Sequence, residues 1–203
     1  MGKCYLVAAS SVEEETIVNR SRFICYLSPC QSTEQARELV KLQQINHPQA
    51  SHHCYAYLSA APDDSQHYGF SDDGEPSGTA GKPMLSMLQG GDVGEICAVV
   101  VRYFGGTKLG TGGLQRAYGG SVRNALVHLT TKLKIPMVDK RLACQYTQVN
   151  DILHLLEQSG GKVKSQDYGQ QVNFILSVPL EQVDNFAAQL QTMSAGQLSL
   201  LKI

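Results

Sequence analysis

The chain has 203 residues, 42% of them hydrophobic, with 17 Lys plus Arg against 18 Asp plus Glu and a formal net charge of −1. That length and apolar content suit one large or two ordinary domains, each able to bury a core, and they argue against disorder. A charge balance this close to zero excludes a global pull toward nucleic acid, so any such binding must come from a local patch.

In chain order, residues 16–28 (TIVNRSRFICYLS) alternate and are rich in β-branched and aromatic side chains, which predicts strands. A helix is expected across STEQARELVKLQQI, capped by Ser32 or Thr33, with Ala36, Leu39, Leu42 and Ile45 as its apolar stripe. After a turn at His47 and Pro48, SHHCYAYLSA reads as another alternating strand. From Pro62 to Pro83 the composition shifts to Gly, Pro and Asp, an ordered loop with a short strand at Tyr68 to Phe70. A short helix over Met84 to Leu88 and a turn at Gly90 and Gly91 lead into an apolar strand from Glu95 to Phe104.

A glycine-rich loop follows, then a helix over LQRAYGGSVRNALVHLTT with Leu114, Ala117, Tyr118, Val122, Ala125 and Leu129 on one face. Gly119 and Gly120 lie inside that helix at a cost of about 1 kcal/mol each relative to alanine, so either a packed strand or a partner is expected to need the backbone close. KLKIPMVDK reads as a connector, which divides the chain into a first domain at 1–134, a linker at 135–140 and a second domain at 141–203. The remainder runs βαββαβ: strand RLACQYTQ, a helix ending at Gly160, strands KVKSQDYG and QQVNFILSV, a helix started by Pro179, and strand QLSLLKI. That order predicts a ferredoxin-like split arrangement and an α+β fold class.

The longest uncharged apolar run, Ile96 to Val101, is far below the roughly 20 residues of a membrane span, and the N-terminus shows no basic-then-apolar leader. A cytoplasmic protein without a membrane partner is expected. Cys4, Cys25, Cys30, Cys54, Cys97 and Cys144 are scattered singly, without CxxC spacing or a companion His at zinc-finger distance, and read as small buried hydrophobes in a reducing compartment.

Charge is segregated along the sequence. From Ile96 to Val138 there are six cations, Arg102, Lys108, Arg116, Arg123, Lys132 and Lys134, and no acid, whereas Ala61 to Glu95 holds seven acids and one lysine. Arg116 and Arg123 are seven residues apart on one helix, so they project about 10 Å apart along it. The free N–H groups near Gly110, Gly112 and Gly113 open the same helix at its positive end, a corner that suits a phosphate. Arg102, Lys108, Arg116 and Arg123 with those glycines are therefore the candidate nucleic-acid or anion site. The competing explanation is that these cations pair internally with the acidic segment.

Familiar nucleotide loops are absent. GGTKLGTG has Thr111 where the phosphate-loop lysine belongs, and GTGGLQ lacks the third glycine of the dinucleotide fingerprint. The glycines serve equally well to permit positive φ and close backbone approach. Asp72, Asp73 and Glu75 are weak metal candidates that lack calcium-loop spacing, and a turn tipped by Gly74 explains them without a metal. His52 and His53 are adjacent in a strand and project to opposite faces, so they do not share one ion. No local signature of an activated nucleophile is present. In the second domain the inner strand offers only Phe174 for base stacking, short of an RNA-recognition motif.

The segments RSRFI, SHHCYAY, GFSDDGEPSGTAGKPML and VVVRYFGGTKLGTGGLQRAYGG resemble the signature blocks of the IMPACT family, and the whole length is similar to its bacterial branch. The resemblance implies a first domain of the ribosomal-protein type shared with elongation factor G domain IV, and a ferredoxin-like second domain similar to that factor's domain V. Eukaryotic relatives regulate translation by binding the large activator of the general-control kinase. Bacteria lack that pathway, and the family carries no agreed catalytic residues.

These readings converge on a binding protein linked to translation, contacting RNA or a ribosome-associated surface through the basic glycine turn and helix, with no cofactor. Were six cations engaged on a duplex, affinity would fall by roughly 10³ between low and moderate salt. Two rivals remain: a magnesium-dependent enzyme on a phosphorylated small molecule, with Asp72, Asp73 and Glu75 as ligands, and a protein-interaction module whose basic face meets an acidic partner.

Overall fold

The computed structural model describes residues 3–203. Its strands and helices fall into two units, Tyr5–Lys134 and another built on Ile135–Ile203. The first contains β1 (Tyr5–Ala8), β2 (Val12–Val18), β3 (Ser21–Pro29), α1 (Thr33–Asn46), β4 (His52–Leu58), β5 (Tyr68–Ser71), α2 (Gly81–Gly90), β6 (Val93–Gly94), β7 (Ile96–Tyr103), α3 (Gly110–Val127) and β8 (Thr131–Lys134). The second contains β9 (Met137–Cys144), α4 (Val149–Gln158), β10 (Lys162–Tyr168), β11 (Val172–Pro179), α5 (Val183–Met193) and β12 (Leu201–Lys202). The chain is thus a mixed α+β protein.

In the first unit a five-stranded antiparallel sheet runs β2-β3-β7-β4-β5. Strand β7 reads as a continuous apolar run because both of its faces are covered. Ile96, Ala98 and Val100 join the core formed with α2 and α3, whereas Cys97 and Val99 join the cluster under α1. That places α1 on one side of the sheet and the α2–α3 pair on the other. The second sheet of this unit, β6-β1-β8, is small. Its strands β1 and β8 fall outside the sequence expectation, since both are short and the pairing of Tyr5 with Lys134 is purely tertiary.

Two local expectations are corrected. Ser32 caps α1, accepting from the Gln35 N–H at 3.2 Å, but the apolar stripe holds only at Ala36 and Leu39 and fails at Leu42 and Ile45. Steps of three residues drift around a helix of 3.6 residues per turn. Ala36 and Gln43 are the buried positions, while Leu42 is 48% and Ile45 66% exposed. Helix α3 begins at Gly110, not at Leu114, so Gly110, Gly112 and Gly113 form its first turn, and the packing of Leu114, Ala117, Tyr118 and Val122 overrides glycine's low helix propensity.

The second unit has strand order β10-β11-β9-β12, all antiparallel. Leu142, Phe174, Leu176, Ile152 and Phe186 lie in its core, so Phe174 is not available for stacking on a base. Residues 137–140, expected as linker, are the first half of β9 and pair with β11 from Met137↔Pro179 onward. The final strand shrinks to Leu201–Lys202, and Leu198 before it is buried. Five of the six cysteines are buried, Cys4 is exposed, and all are free.

Candidate nucleic-acid interface

The two-residue alternation of the sheet decides the fate of Arg102. It stands in phase with Ile96, Ala98 and Val100, so its side chain enters the space between sheet and α3. Phe23 on β3 and His52 on β4 are its register partners on either side. Its Nη1 donates to Glu75 Oε1 at 2.5 Å, with the two side chains only 6% and 4% exposed. The same oxygen accepts from the Tyr118 hydroxyl of α3 at 2.7 Å, and the His52 Nε2 is 3.8 Å away. Rings of Phe23 and Phe104 flank the guanidinium at 5.4 and 5.6 Å. Burial beside this carboxylate pushes the Tyr118 phenol far up. Arg102 is therefore corrected from ligand-facing cation to half of a buried ion pair that fastens the 72–81 loop and α3 to the sheet.

The acidic segment is consumed in the same way. Asp72 is pushed up by burial, but three backbone donors outweigh that and hold it below the usual carboxylate range. They are the N–H groups of Gly78, Ala80 and Gly81, at 2.8, 2.9 and 2.8 Å. Ala80, the N-cap of α2, has no side-chain acceptor of its own, so Asp72 supplies the missing cap from the preceding strand end. Asp73 accepts the His53 backbone N–H at 2.6 Å and offers its carbonyl to His52 Nδ1 at 2.7 Å. The three weak metal candidates thus address three separate sets of protein donors. Glu95 accepts from Tyr5 and Gln31, and from Lys134, which removes a second member of the basic set.

The remaining cations behave differently. Lys108, Arg116, Arg123 and Lys132 are exposed and, among the described residues, have no acidic partner within 4 Å. The glycine turn sets Lys108 just ahead of α3, the helix that carries Arg116 and Arg123. Gly105 lies so close to β3 that a Cβ would stand 2.1 Å from the Arg20 carbonyl carbon, and Gly110 turns into α3 with φ +69°. No side chain caps α3, so the N–H groups of its first turn face outward. Arg116 folds back over that turn, its Nη1 3.7 Å from where a Cβ on Gly112 would be. A cation thus lies over the positive end of α3, and Lys108 precedes it by two residues.

A groove along the α2–α3 seam continues this surface, and nothing in the local sequence signalled it. One stretch of about 400 Å³ is lined by Pro83, Met87, Arg116, Gly120 and Arg123 among others. A neighbouring stretch of about 390 Å³ shares Met87 and Arg123 and extends to Leu126 and Val127. The open question about the paired glycines resolves unequally. A Cβ on Gly119 would meet Met87 and Pro83 of α2 at 3.6 and 3.8 Å, whereas one on Gly120 would meet nothing within 4 Å.

The fold and this site define a two-unit α+β protein with an exposed basic helix beside a shallow groove, and with the buried Glu75 tying that helix to the sheet through Tyr118 and Arg102. The chain belongs to the IMPACT family: residues 19–126 match the Impact N-terminal domain and residues 142–197 match a domain of unknown function, DUF1949. It is 48% identical to the IMPACT family member YigZ of Escherichia coli (strain K12), over 98% of both chains. It is 36% identical to the IMPACT family member YvyE of Bacillus subtilis (strain 168), over 95% of this chain and 88% of that one. A solved structure described as that of "an hypothetical protein" shares 47% identity and a TM-score of 0.74, covering 100% of this chain and 98% of the other. Among the described residues no helix is long and apolar enough to cross a membrane.

Proposed function

We propose that the chain is a non-enzymatic binding protein linked to translation, acting in the cytoplasm and contacting RNA, free or on a ribosome-associated surface. The contact is made by Lys108, Arg116, Arg123 and the first turn of α3 formed by Gly110, Gly112 and Gly113. The observation that carries this reading is the division of the basic set: Arg102 and Lys134 are neutralised by Glu75 and Glu95, while Lys108, Arg116 and Arg123 are exposed and have no acidic partner among the described residues. Cations that served only internal charge balance would have found the seven acids of the preceding segment. Five of those acids are already engaged elsewhere.

The link to translation rests on the family resemblance. The second unit is of ferredoxin-like type, supported by its βαββαβ order and the strand order β10-β11-β9-β12. The first unit is of the ribosomal-protein type of elongation factor G domain IV, a reading that rests on the signature blocks. The enzyme alternative is weakened because Asp72, Asp73 and Glu75 are directed at backbone and side-chain donors.

Fluorescence anisotropy with a labelled single-stranded RNA at low salt tests the proposal. The doubly reversed variant Arg116→Glu plus Arg123→Glu is expected to lose binding while keeping its melting temperature. Equal affinity of parent and variant would remove the reading.

A further inference from the structure

We infer that the α2–α3 groove is a nucleobase site, in which one unstacked base of a single-stranded RNA lies between Arg116 and Arg123 against the Gly120 backbone; this rests on the RNA reading above. A phosphate needs only cations and N–H donors, yet the space between these two arginines has an apolar floor built from Met87 and Pro83 of α2. Glycine is the least favourable helix residue after proline. At position 119 a Cβ would make ordinary contact with Met87 and Pro83 of α2, but at position 120 it would stand in open space, with no described protein atom within 4 Å.

Positions 116, 120 and 123 follow helical spacing on one face of α3, so Gly120 is the gap in a stripe whose two arginines leave the helix about 10 Å apart along its axis. A flat ring entering there meets peptide backbone on one side and the polarisable Met87 thioether on another. The planar guanidiniums stack on a base or hold its flanking phosphates, and arginine does both. The stretch between Arg116 and Arg123, about 400 Å³, is of a size that takes a small ligand. A duplex keeps its bases stacked inside, so it reaches the arginines only through phosphates, whereas a single strand splays a base outward.

Anisotropy titrations with labelled oligo(U) RNA and with a fully paired RNA duplex test this on the full chain. Gly120→Leu fills the groove with a residue that favours helix and whose Cβ has open space around it, so an unchanged melting temperature verifies the fold. Its expected effect is a loss of about tenfold in oligo(U) affinity, the low end for one stacked base, with duplex affinity unchanged. If Gly120→Leu leaves both affinities unchanged while Arg116→Glu plus Arg123→Glu lowers both, the base site is overturned and the RNA reading survives. Failure of the parent to bind either RNA overturns both, including the case in which it binds an acidic peptide instead.

Discussion

Replacing Arg102 with methionine separates an architectural cation from a ligand-binding one. In the native unit the guanidinium and Glu75 are almost wholly enclosed, joined at 2.5 Å, and Tyr118 donates to the same carboxylate oxygen. Removing the cation leaves a buried carboxylate with one hydroxyl donor and a histidine nitrogen at 3.8 Å. Breaking a buried pair from one side typically costs about 3–5 kcal/mol. For a unit of this size each kcal/mol moves the melting temperature by about 3–5 °C, so a drop of about 10–25 °C is expected. Differential scanning calorimetry reads it directly, and Glu75→Leu combined with Arg102→Met is expected to recover most of the loss because no uncompensated charge remains. RNA affinity measured well below the melting point should be unchanged in Arg102→Met. A variant that keeps its stability within about 3 °C, or that loses RNA affinity without losing stability, would refute the assignment.

Asp72 should give a pH signature. Its native value lies below that of the unfolded chain, so its stabilising contribution is present above about pH 4 and is lost as pH falls through the native value. Asp72→Asn is therefore expected to be about 1–3 kcal/mol less stable at pH 7, with the gap to the parent closing below pH 4 in thermal melts; a gap independent of pH would contradict the capping role. Gly105→Ala drives a methyl into the Arg20–Ser21 backbone and should lower stability by more than about 2 kcal/mol in urea unfolding, whereas a neutral result would mean that the turn relaxes freely.

The parts legible in the sequence are those whose signal is local and periodic. Strand β7 was readable from its apolar run and β4 from its alternation, and Ser32 marked the start of α1. The inward face of α3 emerged at the expected positions from Leu114 to Ala125. Strands β1 and β8 escaped because four residues, two of them lysines in β8, carry too little pattern to announce a pairing more than 120 residues apart. Leu42 and Ile45 misled because a three-residue step imitates a stripe only over short distances.

Arg102 was legible in principle. It sits in the inward phase of β7, and a cation in that phase requires a buried acid, but nothing local identifies Glu75, 27 residues earlier, as its partner. Asp72 as the cap of α2 and Met87 as the floor of the groove depend on tertiary approach alone. The sorting of six cations into two paired with acids, Arg102 and Lys134, and four exposed without an acidic partner among the described residues was therefore invisible in composition.

The salt dependence of RNA binding tests that sorting most directly. Three engaged cations on a single strand give a slope of about −2 in log affinity against log salt, or about a 20-fold loss from 50 to 200 mM. Arg116→Glu plus Arg123→Glu should flatten the slope to about −0.7 or less, leaving Lys108 alone. A parent slope near −5, matching all six cations on a duplex, or identical slopes for parent and variant, would contradict the account.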